Sequence, residues 1–400
     1  MTTTAVRPPR VPDALFSGAG YFLPRLMFLN TVYAPHVHWG DIALALDGFR
    51  AETDLSSAAF WDEWRLRWEA RGRWYEEAAD RSGTVAGRAR ARRSAAACLH
   101  WAEFMYFDDV AVKWRMRNRV RELTRLALAE SGLDIVRGQL PPAAPGEPEV
   151  PYQLVLPPTG VRPGGPLPCA VFSNGLDSVT EVEVLSLAEA YLERGIAALL
   201  FDGPGQGVHV GQTPLKGDME QVVARLVALL RSDPRIDADR LAFAGVSFGG
   251  YFALRVARDL GDAFRCVVNF SGGPRVSPFA GLPRRLKDDF RFALRCGDDA
   301  ALQARLDELA LEPAELVRTE VLSIHGALDD IFPLTALRDL DRAWGARHRL
   351  VVHEREAHVC LNSLDSCNQE AADWVARRLS TGSAPSTEPT QLVEPTLRKP

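Results

Sequence analysis

One serine of this chain stands among glycines, in Gly245-Val246-Ser247-Phe248-Gly249-Gly250. A serine hydroxyl is a weak nucleophile at neutral pH. It attacks a carbonyl only if a base takes its proton, its Oγ is exposed, and donors await the developing oxyanion. A G-x-S-x-G sequence at a strand-to-helix turn meets the geometric part of that demand. The strained turn presents the serine, glycines let neighbouring backbones pass close, and the following helix points free N–H groups at the site. The flanks supply this context: LAFA before the motif is strand-like, and GYFALRVA after it has a helical pattern. A glycine-rich turn with an incidental serine is the bland alternative, and those flanks weigh against it.

A base and an orienting acid must follow, in the order acid and then histidine. The segment EVLSIHGALDDIFP (320–333) ends an apolar run and then presents Gly326-Ala327-Leu328-Asp329. Spacing favours Asp329 as the orienting carboxylate, with Asp330 as its competitor. RLVVHEREAHVC then reads as a strand and a loop, and His358 falls in the loop. His353 still sits in the strand run, where packing or a solvent-facing position suits it. His325 ends its own strand and reads as a supporting histidine. The roles expected are Ser247 as nucleophile, His358 as general base and then acid, and Asp329 as the group fixing the imidazole tautomer. Phe248, the residue after the nucleophile, should give one oxyanion N–H. The loop Asn174-Gly175-Leu176-Asp177-Ser178 should give the other, through Leu176 or else Gly175.

The elements around these residues read as two regions. Residues 41–130 have helical periodicity, and Trp61, Trp64 and Trp68 share one helix face. Core packing is the first reading of that stripe, and an aromatic lining for a ligand is the second. Residues 1–140 are therefore expected to form a helical cap. The proline-rich stretch at 141–150 should be a linker, and 151–380 a catalytic domain. Within the latter, YQLVLP, CAVFSN, IAALLFD, RLAFAGV, CVVNFSG, EVLSIHG and RLVVHE are short apolar runs, most of them separated by amphipathic stretches. That alternation indicates an α/β fold with a mostly parallel sheet covered on both faces. Residues 275–318 are expected to be a helical, lid-like insertion, and 381–400 a disordered tail.

Composition narrows the function classes. Apolar residues make up 46% and charged residues 25% of the 400 residues, as in ordinary globular proteins. The net charge of −5 argues against a nucleic-acid or anionic-membrane binder. No apolar run is long enough to span a bilayer and the start carries no leader-like core, so no membrane partner is expected. Six scattered cysteines without a CxxC pair fit a reducing cytoplasm. No cofactor is expected either. His36-Val37-His38 lacks a third metal ligand. Phe201-Asp202-Gly203-Pro204-Gly205-Gln206-Gly207 lacks the lysine of a phosphate loop and the spacing of a dinucleotide fingerprint, and reads as a tight turn. The expected partner is a small-molecule substrate, and a homodimer is left open.

Four stretches together carry a resemblance: Ser-Asn-Gly-Leu-Asp-Ser at 173–178, Phe-Asp-Gly-Pro-Gly-Gln-Gly at 201–207, Gly-Val-Ser-Phe-Gly-Gly at 245–250 and Glu-Ala-His-Val-Cys at 356–360. They resemble the α/β-hydrolases, in the branch of FrsA-like esterases and 2,6-dihydroxypseudooxynicotine hydrolase, near fungal polyketide-shortening hydrolases. The resemblance covers about 150–380 and reaches the N-terminal helices more loosely. It implies an α/β-hydrolase fold with a helical cap, and it carries Ser247, Asp329 and His358 over as the triad. It also implies cleavage of an ester or an activated C–C bond of a carbonyl compound, a polyketide or other secondary metabolite among them. Similar proteins of tetronate and spirotetronate pathways eliminate an acyl group, so a lyase is the second reading. A non-catalytic regulatory or binding protein on the same scaffold is the third, and the complete Ser–Asp–His set counts against it.

Overall fold

A computed structural model describes residues 35–47, 49, 57–282, 284–312 and 317–380, the side chain of 285 apart. The tail expected at 381–400 lies outside the described residues. Helices come first: α1 (Trp39–Leu46), α2 (Ala58–Arg81), α3 (Val85–Glu103) and α4 (Val110–Ala129). Local chemistry starts two of them. Thr84 Oγ1 accepts the Gly87 N–H at 3.1 Å ahead of α3, and an Asp109 carboxylate oxygen accepts the Val112 N–H at 3.0 Å ahead of α4. The tryptophan stripe of α2 is core. Trp61, Trp64 and Trp68 are buried, with ring centroids 6.2 and 5.6 Å apart in sequence. The Trp64 indole N–H donates to the Trp101 carbonyl of α3 at 2.7 Å, which satisfies the polar atom that burial would otherwise strand.

The sheet has eight strands, β1 (Ile135–Leu140), β2 (Val150–Val155), β3 (Leu167–Ser173), β4 (Ala197–Phe201), β5 (Ile236–Val246), β6 (Cys266–Phe270), β7 (Glu320–Gly326) and β8 (His348–His353). Their order is β1-β2-β4-β3-β5-β6-β7-β8. β2 runs antiparallel to both β1 and β4, and the remaining pairs are parallel. Helices α5 (Leu185–Leu192), α6 (Glu220–Ser232), α7 (Phe248–Asp259), α10 (Leu334–Trp344) and α11 (Leu364–Leu379) alternate with the strands. Every residue of β3, β4 and β6 is buried, as continuous apolar runs require when helices cover both faces.

The sheet begins earlier than the sequence reading placed it. Ile135–Leu140 is not part of a helical region but an edge strand paired with β2, and 141–149 is the connection of that hairpin. The composition of IVRGQL hides it: polar and apolar positions mix because an edge strand needs no continuous apolar run. Between β6 and β7 lie α8 (Arg284–Leu294) and α9 (Asp299–Glu308), within the stretch expected as an insertion. Among the described residues, no helix is long and apolar enough to cross a membrane.

Candidate active site

The carboxyl ends of β5, β7 and β8 bring three side chains together. β5 ends at Val246 and α7 begins at Phe248, which leaves Ser247 alone in the turn with φ 57° and ψ −119°. Such a backbone is costly for a side chain with a Cβ, and tight packing on both sides holds it there. A Cβ on Gly245 would lie 1.9 Å from the Gly249 carbonyl oxygen, and one on Gly249 would lie 2.3 Å from the Ser173 carbonyl oxygen. Only glycine lets β5, α7 and β3 approach so closely.

Ser247 Oγ lies 2.9 Å from His358 Nε2, and His358 Nδ1 lies 2.8 Å from Asp329 Oδ2. Asp329 is buried in the loop after β7, whereas Asp330 is exposed. The Asp329 Oδ1 accepts the N–H groups of Ile331 and Phe332, both at 2.9 Å. Burial pushes this carboxyl up, but His358, His325 and those N–H groups outweigh burial and hold it below its usual range. An ionised carboxylate can only accept, so the His358 proton sits on Nδ1 and the Nε2 lone pair faces the serine hydroxyl. His325 supports from behind: its Nε2 donates to the Phe332 carbonyl at 2.9 Å and lies 3.7 Å from Asp329. Burial lowers its pKa, so it stays neutral. His353 ends β8 and meets Cys367 Sγ at 3.3 Å, away from Ser247.

Phe248 and Leu176 are both buried, and neither N–H has a backbone acceptor among the described residues. Gly175 packs against Ser247: a Cβ on it would stand 3.5 Å from the serine Cβ. The Phe248 N–H directly follows the nucleophile and the Leu176 N–H follows the glycine packed on it, which makes the two candidates for an oxyanion site. Buried aromatic rings pack around Phe248: Phe290 of α8 meets it edge-on at 6.0 Å and Phe332 at a tilt at 6.4 Å, and Phe332 lies 6.0 Å from the His358 ring.

A model of the prolyl oligopeptidase family matches residues 190–380. The 2,6-dihydropseudooxynicotine hydrolase of Paenarthrobacter nicotinovorans is 28% identical over 328 residues, spanning 80% of this chain and 85% of that protein. Among solved structures, the crystal structure of the 2,6-dihydroxy-pseudo-oxynicotine hydrolase superposes with a TM-score of 0.74 at 24% identity, over 87% of this chain and 94% of the other. The chain has the α/β-hydrolase fold. The structure of AbyA5 shares the fold, with a TM-score of 0.60 at 19% identity over 81% of this chain and 98% of that one. A shorter match, 39% identical over 117 residues and 28% of each chain, is the 20-hydroxy-prefusarin hydrolase of Gibberella moniliformis.

Around the α/β-hydrolase elbow stand groups that the sequence reading did not find. The stretch 201–207 is more than a turn after β4. Asp202 Oδ1 accepts from Asn174 Nδ2 at 2.6 Å and from Thr180 Oγ1 at 2.5 Å. Gln206 Nε2 donates to the carbonyls of Asn174 at 2.6 Å and Gly175 at 3.3 Å. Two loops quoted separately in the sequence are thus one hydrogen-bonded unit. The second group is a charge cluster wholly out of water. His100 and Glu103 of α3, Lys113 and Arg117 of α4, and Glu183 are all buried. His100 Nδ1 lies 2.8 Å from Glu103 Oε1, and its Nε2 2.6 Å from Glu183 Oε1. Glu103 Oε2 lies 2.6 Å from Lys113 Nζ and 3.0 Å from Arg117 Nε. Burial opposes charge on His100, but Glu183 and Glu103 outweigh it and lift its pKa to about 9. Burial likewise pushes Glu103 up, while Arg117, Lys113 and His100 draw it below the carboxylate range. Lys113 is driven down to about 8 by burial, with Glu103 partly offsetting. Only the i, i+3 spacing of His100 and Glu103 was visible in the sequence. Nothing in it pointed to Glu183.

Proposed function

We propose that this chain is a serine hydrolase that cleaves an ester or an activated C–C bond of a small carbonyl compound through an acyl-enzyme. The observation that carries the reading is the hydrogen-bond chain from Ser247 through His358 to Asp329, at 2.9 and 2.8 Å, on a strained turn. His358 Nε2 takes the Ser247 proton as Oγ bonds to the carbonyl carbon. The oxyanion that forms is held by the N–H groups of Phe248 and Leu176. His358 then gives the proton to the leaving oxygen or carbon, and the acyl group stays on Ser247. Water, deprotonated by the same imidazole, releases the acid and restores the serine. Asp329 stabilises the imidazolium without itself taking the proton.

Phe332, whose ring lies 6.0 Å from that of His358, gives the triad an apolar neighbour that suits an apolar or aromatic substrate. Two relatives bear the names of hydrolases of a pseudooxynicotine and of a prefusarin, and these names support a natural-product substrate. The helices before residue 130 act as a cap over the site. A fluorophosphonate probe tests the mechanism. It should label the wild type and leave Ser247→Ala unlabelled, with turnover of the variant down by at least ~10³-fold. A variant that keeps most of its activity refutes the acyl-enzyme.

A further inference from the structure

Arg117 is 1% exposed, and a buried guanidinium is costly unless its donors are used. Two of its three donor nitrogens reach beyond α3 and α4. Nη2 donates to the Asp177 carbonyl at 2.8 Å, Nη1 donates to the Gly207 carbonyl, and Nε binds Glu103. Asp177 directly follows Leu176, whose N–H is the second oxyanion donor in the reading proposed above. Gly207 directly follows Gln206, whose amide holds the carbonyls of Asn174 and Gly175. The same cluster grips the far end of this loop. Glu183 Oε2 accepts the Val179 N–H at 3.0 Å, while its Oε1 binds His100.

Peptide planarity makes these contacts directional. In a trans peptide the carbonyl and the next N–H point opposite ways. With the Gly175 carbonyl drawn to Gln206, the Leu176 N–H must point away from Gln206. Its bearing is then set by whatever holds Gln206 and residue 177 in place, and Arg117 touches the backbone next to both. We infer that Arg117 is a positioning residue for the oxyanion loop, fixing the direction of the Leu176 N–H from a helix that carries no member of the triad. This rests on the acyl-transfer reading above.

The test is the rate of fluorophosphonate labelling, since the phosphoryl oxygen of that probe takes the oxyanion position. It is measured for the wild type, Arg117→Lys and Arg117→Ala, each with its melting curve. Lysine keeps a cation for Glu103 but cannot fork to two carbonyls. Loss of one oxyanion donor costs ~10²–10³-fold, so a misdirected donor should slow labelling of folded Arg117→Lys by ~10–100-fold. Free guanidinium at millimolar concentration should restore part of the rate to Arg117→Ala and none to Ser247→Ala. Labelling of either folded variant within about twofold of the wild type overturns the inference. So does the failure of both variants to fold, because Arg117 would then serve the fold alone. A wild type that does not label removes the hydrolase reading first, and this one with it.

Discussion

The buried His100 makes stability depend on pH between about 6.5 and 9, and the size of the effect follows from the structure. Folding raises its pKa from 6.5 to about 9 because Glu183 and Glu103 outweigh the burial that opposes its charge. The native state therefore favours the imidazolium. The resulting stability is complete below about pH 6.5 and is lost as pH climbs through about 9. At pH 6.5 it amounts to ~3 kcal/mol, and about half of that, ~1.5 kcal/mol, is gone by pH 8. Lys113 acts with the opposite sign at higher pH. Its native pKa is lowered to about 8, so its buried charge is relieved as pH rises beyond that value, and the comparison should stop there. Replacing His100 alone would leave the buried Glu183 Oε1 without its partner. The double variant His100→Gln/Glu183→Gln removes both charges and keeps two amides able to bond each other. Urea unfolding of the two proteins at pH 6.5, 7, 7.5 and 8 gives the assay, and groups shared by both cancel in the difference. Wild type should lose ~1.5 kcal/mol more than the double variant across this range. Parallel pH profiles would mean that His100 is not charged in the fold, and the reasoning about the cluster would fail.

Asp329→Asn should lower turnover by ~10⁴-fold through loss of the correct tautomer, while Asp330→Asn stays near wild type; equal losses would move the orienting acid. Gly249→Ala puts a methyl 2.3 Å from the Ser173 carbonyl oxygen, so it should abolish labelling of Ser247, and normal labelling would contradict the packing of the elbow. In oxygen-18 water, one labelled oxygen should enter the released acid. Unlabelled acid beside an unsaturated product would instead establish elimination. Trp64→Ala should cost ~3–5 kcal/mol by opening the core and freeing the Trp101 carbonyl, whereas Trp74→Ala, at a site 47% exposed, should change unfolding little.

Ser247, Asp329 and His358 were readable because each sits just past a strand whose apolar run announces itself, and the order of the three is fixed by topology. The buried strands were readable for the same reason. β1 was not, because its sequence answers to solvent on one side. The clamp of Asp202 and Gln206 on residues 174–175 was also hidden, since hydrogen bonds between two loops leave no periodicity. Arg117 and Lys113 were not singled out in the sequence. Their burial depends on partners 60 to 90 residues away for Arg117, and no local pattern records these.

That separation bears on how the chain reaches its fold during synthesis. The helices carrying His100, Lys113 and Arg117 leave the ribosome first, with Glu103 as the anion the three cations share. Glu183 follows His100 by 83 residues, and the Gly207 carbonyl follows Arg117 by 90. Until those residues emerge, closing the N-terminal helices around their own core would bury charge without its counterpart. Vectorial folding of this chain should therefore stall with α3 and α4 ajar and their apolar faces accessible. Docking of the 174–207 region would complete both halves in one step, which makes the nascent N-terminal segment a natural client for chaperones.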